Sequence, residues 1–151
     1  GRGHLLLALP TLAGRDDVQI VFPFHLNPNV RAAFARLRRH PHVVLIEPVD
    51  YLEFVYLLSQ AHTILTDSGG IQEEAPSLGK PVFVLRKVTE RPEAVAAGTV
   101  KLVGTDTRRI ADTVAELLDN PSAYAAMSAI HNPYGDGKAC DRIIASLSEE
   151  L

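Results

Sequence analysis

The chain has very little cysteine, since Cys140 is the only one among its 151 residues. A single thiol excludes an internal disulfide framework and a cluster of thiolate metal ligands. Long hydrophobic runs are also absent: none approaches the ~18 residues that a membrane span requires, and 5-LLLAL-9 lacks the length and flanks of a signal peptide. The formal net charge of −3 gives no electrostatic case for binding nucleic acid or an anionic membrane. Together these absences predict a cytoplasmic protein.

The motifs of several common functional sites are missing as well. There is no G-x-G-x-x-G dinucleotide fingerprint, and no Gly-Lys-Ser/Thr follows a glycine-rich loop as it does in a P-loop. The six histidines include no i, i+4 pair on a predicted helix, and the closest two are His40 and His42. No Ser/His/Asp arrangement is recognisable. The sequence therefore predicts no metal site and no catalytic residue in this chain, which is expected to bind its ligand rather than transform it.

Short apolar segments recur along the chain, with helical patterns between them. Each segment is apolar nearly throughout, which is typical of a parallel strand covered on both faces. The predicted strands are 18-VQIVFPF-24, 43-VVLIEPV-49, 63-TILTD-67, 81-PVFVLR-86 and 99-TVKLVG-104. The predicted helices are His4–Ala13, Asn29–His40, Asp50–Ala61 with Asp50 as N-cap, Gly70–Ala75, Pro92–Ala97, a stripe from Ile110 to Leu118, and Lys138–Glu149. This alternation predicts one α/β domain over residues 1–151, with a Rossmann-like, doubly wound parallel sheet.

The segment 66-TDSGGIQEEA-75 follows the third predicted strand, at the sheet edge where such folds bind ligands. Glycines let the backbone approach a ligand closely, and a helix N-terminus offers unpaired N–H groups and a partial positive charge. Position 71 is Ile rather than Glu or Gln, so no capping box occupies those donors. The loop Ser68-Gly69-Gly70 is therefore predicted to bind a phosphate group.

Two acids follow this loop on the same predicted helix. Glu74 lies where its carboxylate can accept hydrogen bonds from a ribose diol, so phosphate and ribose together describe a nucleotide. Glu73 points about 100° away around the helix and is expected to be solvated or paired with a basic neighbour. The alternative is an ordinary strand–turn–helix connection whose acids stabilise the helix N-terminus.

Three further residues have a functional and an ordinary explanation. Arg91 follows the fourth strand on the same predicted rim, where its guanidinium suits a diphosphate; otherwise it is a solvated arginine before a helix. Phe54 either stacks on a base or belongs to a core stripe with Tyr51, Val55 and Leu58. His25 ends the first strand, where it either contacts a ligand or is structural.

These motifs, in this order, resemble the carboxy-terminal half of the non-hydrolysing UDP-N-acetylglucosamine 2-epimerases. The resemblance runs from about Asp17 to Ile144. It is carried by 23-PFHLNP-28, 50-DYLEFVYLL-58, 66-TDSGGIQEEAPSLGKPV-82, 89-TERPEAVAAGTVKLVGTD-106 and 132-NPYGDGKA-139. Members of that family have the two-domain GT-B architecture, with the active site in the cleft between two Rossmann-like halves. They interconvert UDP-GlcNAc and UDP-ManNAc by eliminating and re-adding UDP, and the resemblance implies no cofactor, a homodimeric parent enzyme and a place in cell-surface polysaccharide biosynthesis.

Carried over by position, the resemblance implies a role for each candidate residue. Ser68, Gly69 and Gly70 would bind the UDP phosphates. Glu74 would bind the uridine ribose, Arg91 would contact the diphosphate, and Phe54 would lie beside the uracil. In bacterial members the histidine of the His-x-Asn-Pro motif, here His25, is linked to a second, regulatory UDP-GlcNAc site.

The sequence departs from the family in places. Val49 stands where some members have a glutamine near the uracil, so base recognition would fall to backbone groups. Lys87 stands where acids are frequent. The amino-terminal half that handles the C2 proton has no counterpart here, so this chain is expected to be inactive alone. Two alternatives remain at this point: the nucleotide-binding half of a GT-B glycosyltransferase, and a non-catalytic module that binds a nucleotide sugar.

Overall fold

The computed structural model describes residues 2–24, 35, 37–129 and 132–149. All five predicted strands are present, each shorter than its apolar segment. The strands are β1 (Ile20–Pro23), β2 (Val43–Ile46), β3 (Ile64–Thr66), β4 (Val82–Val84) and β5 (Val100–Leu102). The helices of the described residues are α1 (Arg2–Ala13), α2 (Tyr51–Gln60), α3 (Gly69–Ser77), α4 (Pro92–Ala97), α5 (Thr107–Asp119), α6 (Pro121–Ser128) and α7 (Ala139–Glu149). The α/β fold class is confirmed.

The strands are parallel but form two sheets rather than the single sheet that was predicted. β1 pairs with β2, whereas β4 pairs with β3 on one side and β5 on the other. No ladder of the described residues joins the two sheets. Apolar side chains of both sheets nevertheless pack into one core cluster. Side-chain packing therefore connects the two sheets across this division.

Strand β4 shows why the apolar segments do not alternate with polar residues. Val82 and Val84 belong to a core cluster shared with helices α2, α3 and α4. Phe83 and Leu85 belong to the other cluster, which contains α1 and α5. Successive residues of a strand point to opposite faces, so a sheet covered by helices on both sides requires an apolar residue at every position.

The end of α3 and the presence of α6 depart from the predictions. Helix α3 extends to Ser77 and includes Pro76, although Ala75 was predicted as its last residue. Helix α6 was not predicted, because Asn120-Pro121 was interpreted only as the end of α5. The same dipeptide also begins a helix: Asn120 Oδ1 accepts the Ala123 N–H at 3.1 Å, and proline suits a first helical position.

The last helix is confirmed, but much of its apolar side is not covered by the described residues. Ile143, Ile144 and Leu147 are each more than half exposed, and Cys140 is exposed as well. The predicted helix Asn29–His40 falls largely outside the described residues; within it, Ala35 and Leu37 are helical. Among the described residues, no helix has the length and apolar character needed to cross a membrane.

Candidate functional site

The loop between β3 and α3 has the geometry that the sequence predicted. β3 ends at Thr66, and Ser68 is the N-cap of α3 with an extended backbone. The Ser68 N–H donates to Thr66 Oγ1 at 3.0 Å, which fixes the turn. The Ser68 side chain makes no capping hydrogen bond to the helix. The first-turn N–H groups of α3 therefore meet the carboxyl edge of the sheet without a capping side chain, as an anion site requires.

Ser68, Gly70 and Glu74 lie on one side of the α3 N-terminus. A Cβ atom built on Gly70 would lie 3.8 Å from Glu74 Oε1 and 3.9 Å from Ser68 Oγ. Glu74 is exposed, and its Oε2 lies 3.4 Å from the Tyr51 hydroxyl at the start of α2. The predicted phosphate loop and the predicted ribose-binding acid thus face a common surface.

Arg91 joins the same region from the loop that follows β4. Its Nε donates to Glu73 Oε1, so Glu73 is paired with a basic neighbour, one of its two predicted states. This hydrogen bond raises the pKa of the Arg91 guanidinium above its ordinary value. Arg91 is therefore charged and oriented by α3, the helix that carries the phosphate loop.

Glu90 brings the two loops into contact. Its Oε1 lies 3.0 Å from where a Cβ on Gly69 would be, so glycine at position 69 allows this close approach. Arg86 Nη1 donates to Glu90 Oε2 at 3.0 Å. A hydrogen bond to its own backbone amide lowers the pKa of Glu90, and Arg86 lowers it further. The negative charge of Glu90, beside the phosphate loop, is therefore paired with the positive charge of Arg86.

Phe54 packs against the core cluster of α2, α3 and α4 and is only partly buried. Its packing agrees with the core stripe, and its partial exposure leaves contact with a ligand possible. The predicted core stripe is wrong for Tyr51, which is 65% exposed. Its position at the first residue of α2 places it at the end of the helix, beside Glu74, rather than over the sheet. Val49 is 37% exposed just before α2. His25 lies outside the described residues.

Two residues near the site were not singled out in the sequence. Gln72 is fully buried, and its Nε2 donates to the Ser68 carbonyl at 3.0 Å. Tyr134 donates its hydroxyl to the Arg91 carbonyl at 3.4 Å, and burial raises the pKa of its phenol. The sequence signal for Gln72 is its spacing of four residues from Ser68, which places both on one helix face.

Lys87, at a position where the resemblance led us to expect an acid, is exposed. It lines an open cavity of about 960 Å³ together with Arg86, Arg108 and Arg109. The cavity lies at the carboxyl ends of β4 and β5 and does not include Ser68, Gly69 or Gly70. Among the described residues, no group of three or more His, Cys, Asp or Glu side chains is placed to hold a metal ion.

Comparison with known families finds close relatives. The family model described as UDP-N-acetylglucosamine 2-epimerase matches residues 3–148. The chain is 58% identical to the UDP-N-acetylglucosamine 2-epimerases of Escherichia coli (strain K12) and of Salmonella typhimurium, with 97% of this chain covered in each case. It spans only 40% of the length of either relative.

Solved structures agree with this result. The UDP-GlcNAc 2-epimerase from Neisseria meningitidis bound to UDP-GlcNAc superposes with a TM-score of 0.89 at 53% identity, over 97% of this chain and 40% of that chain. The S. aureus MnaA–UDP structure gives a TM-score of 0.87 at 45% identity, over 93% of this chain and 39% of that chain. A match to about two fifths of these proteins is in keeping with one half of a two-domain architecture.

Proposed function

Because the chain belongs to the UDP-N-acetylglucosamine 2-epimerase family, we propose that residues 1–151 form the UDP-binding domain of an enzyme that interconverts UDP-GlcNAc and UDP-ManNAc. In this reaction a base removes the C2 proton of the sugar while the C1–O bond to UDP breaks. The products are 2-acetamidoglucal and UDP, and re-addition of UDP with a proton delivered to the other face of C2 completes the epimerisation. This chain supplies the binding of the leaving and returning UDP, and the remainder of the enzyme moves the proton.

The proposal rests on one observation: a glycine-rich helix N-terminus, an arginine and a carboxylate converge at the carboxyl edge of the sheet. The first turn of α3, at Ser68, Gly69 and Gly70, is suited to the diphosphate because it offers N–H donors without a capping side chain. Arg91 adds a cation beside it, held by Glu73. As UDP departs, negative charge grows on the diphosphate, and donors fixed in advance stabilise that charge best.

The nucleoside end of UDP is proposed to bind beside Glu74, on the surface of α3 that faces away from Arg91. Glu74 shares its surface with Ser68 and Gly70 and is suited to accept hydrogen bonds from the ribose diol. Phe54 is proposed to lie beside the uracil, since its ring is only partly buried. Tyr51 touches Glu74 and extends this wall.

The other parts of the assignment are proposals on the basis of family membership. The parent enzyme is proposed to be a cytoplasmic homodimer that works without a cofactor. His25 is proposed to contribute to a second, regulatory UDP-GlcNAc site.

UDP binding is tested by titrating the isotope-labelled chain with UDP and following its backbone amide resonances. The amides of Ser68, Gly69, Gly70 and Ile71 are expected to shift with a weak affinity, because a domain forming one wall of a cleft leaves much of the ligand in water. Residues at the opposite end of the sheet, such as Thr63, serve as the internal control. Unmoved loop amides at millimolar UDP would falsify the proposal.

The reaction is tested by combining this chain with the amino-terminal half of its own enzyme and supplying UDP-GlcNAc. Formation of UDP-ManNAc without any acceptor is the expected result. Transfer of the sugar only when an acceptor is added would instead identify a glycosyltransferase, and binding without turnover in the complete protein would identify a sensor.

A further inference from the structure

Gln72 is a polar side chain with no exposure to solvent. An amide group in such a place costs free energy unless both its N–H and its C=O are hydrogen-bonded. Its Nε2 donates to the Ser68 carbonyl at 3.0 Å, and its Oε1 accepts from the Thr89 hydroxyl at 2.6 Å. The buried amide therefore joins the β3–α3 loop to the loop that follows β4.

Thr89 continues this connection toward Arg91. A threonine hydroxyl has one proton, and the contact with Gln72 Oε1 uses it. The Thr89 oxygen accepts the Arg91 N–H at 3.0 Å. One directed series of hydrogen bonds thus runs from the Ser68 carbonyl through Gln72 and Thr89 to the Arg91 backbone.

The series also supports the direction of a backbone donor in the phosphate loop, a direction that the helix itself begins to set because the carbonyl of an N-cap residue accepts the first hydrogen bond of the helix. In a planar trans peptide the C=O and the following N–H point in opposite directions. The Ser68 carbonyl is turned toward the buried Gln72 amide, so the Gly69 N–H points away from it. Glu73 acts differently, because it holds the partly exposed Arg91 guanidinium rather than the backbone.

We propose that Gln72 and Thr89 are positioning residues that hold the α3 N-terminus and Arg91 at a fixed separation, so that both engage one diphosphate. This inference rests on the proposed UDP site and goes further, because it names two residues that need not touch the ligand. It also predicts that Gln72 and Thr89 affect binding of the diphosphate and not binding of the nucleoside.

The test is the ratio of UDP affinity to UMP affinity, measured by calorimetry or amide titration of the chain and of four variants. Thr89→Val keeps the side-chain shape but removes the hydroxyl, and Thr89→Ser restores the hydroxyl. Gln72→Met removes both ends of the amide at similar volume. Thr63→Val is the matched control, because it also removes one threonine hydroxyl bond, to the Pro81 carbonyl, but at the other end of β3.

The UDP/UMP ratio is expected to fall by about 5- to 10-fold in Thr89→Val and Gln72→Met, the effect of one or two hydrogen bonds. It should stay near the wild-type value in Thr89→Ser and Thr63→Val. General loosening of the fold would weaken UDP and UMP together and leave the ratio unchanged, which would overturn the proposal. If Gln72→Met fails to fold, the two Thr89 variants decide the matter.

Amide measurements without ligand separate this inference from the proposed function. If the wild-type chain binds no UDP, the proposed UDP site is refuted. The hydrogen-bonded connection from Ser68 through Gln72 and Thr89 to Arg91 is then tested by the amide measurements alone. Thr89→Val should then shift the Gly69 and Gly70 amides and speed hydrogen exchange at the Arg91 amide, whereas Thr63→Val should do neither. Unchanged resonances and exchange in Thr89→Val would refute the connection itself.

Discussion

At the scale of single residues, neighbouring acids on α3 have different environments because a helix turns by about 100° per residue. Glu73 faces the loop after β4 and pairs with Arg91. Glu74 faces the other way, toward Tyr51, on the surface shared with Ser68 and Gly70. One acid therefore orients an arginine, while the other is accessible to a ligand.

Replacing Glu74 by glutamine is expected to weaken UDP binding by about 10-fold or more, because a hydrogen bond to a charged group contributes roughly 1.5–3 kcal/mol. Calorimetry with UDP measures the change. Glu116→Gln is the matched control, since Glu116 is an exposed acid on α5. Equal affinities for the Glu74→Gln variant and the wild type would remove Glu74 from the site.

Gly70 and Gly98 are expected to respond in opposite ways to alanine. Gly98 ends α4 with φ +87°, where a Cβ costs about 1–2 kcal/mol, so Gly98→Ala should lower the free energy of unfolding. Gly70 lies in the first turn of α3 with no positive φ, so Gly70→Ala should leave stability unchanged or raise it by up to about 1 kcal/mol. Its methyl group would project toward Ser68 and Glu74 and should weaken UDP binding. Urea unfolding and calorimetry check the two effects; a Gly70→Ala chain that keeps wild-type UDP affinity contradicts the site.

At the scale of elements, the connection between α1 and α5 combines a buried apolar contact with a surface ion pair. Leu9 and Leu12 share a core cluster with Ile110 and Val114. Just beyond α1, Arg15 donates to both Asp17 and Asp119, the latter being the last residue of α5. The hydrogen bonds from Arg15 lower the pKa of each of these carboxyls below its ordinary 3.8.

This arrangement predicts a pH-dependent effect of Arg15→Gln. A carboxyl whose pKa is lowered in the folded state stabilises the protein above its unfolded-state pKa, and this contribution is lost as the pH falls through the folded-state pKa. The wild type should therefore be more stable than Arg15→Gln near pH 7. The difference should shrink below pH 3.8. Urea unfolding at several pH values measures it; a gap that is constant down to pH 2.5 would exclude the ion pairs as its source.

At the scale of the whole molecule, the sheets have helices on both faces, yet α7 retains a largely exposed apolar side. Ile110 on α5 is fully buried, whereas Ile144 on α7 is 63% exposed. The stability of this chain therefore resides in the two core clusters and depends little on α7.

Matched isoleucine-to-alanine substitutions on α5 and α7 test whether stability resides in the core clusters rather than in α7. Ile110→Ala should cost about 2–5 kcal/mol, because it leaves a cavity in the core. Ile144→Ala should stay within about 0.5 kcal/mol of the wild type, as exposed substitutions usually do. Urea unfolding of both variants gives the comparison. Similar losses would show that α7 packs more tightly than its exposure indicates.

Much of the fold and part of the site geometry could be predicted from the sequence. The five strands follow from apolar segments that need covering on both faces, and α4 has the predicted bounds Pro92–Ala97, with Pro92 in its first turn. The position of the Ser68–Gly70 loop at a strand-to-helix edge follows from the same local pattern. The approach of Glu73 to Arg91 does not, because it depends on how two loops from different strands pack against each other.

The sequence by itself determined the five strands, most of the helices and the local form of the phosphate loop, since each depends on residues near in the chain. Only the tertiary structure decided that the strands divide between two sheets, that Gln72 is buried and that Tyr51 is exposed. Helical periodicity gives the face on which a residue lies. What covers that face is set by distant segments, and so the link from Gln72 through Thr89 to Arg91 appears only when those segments are folded together.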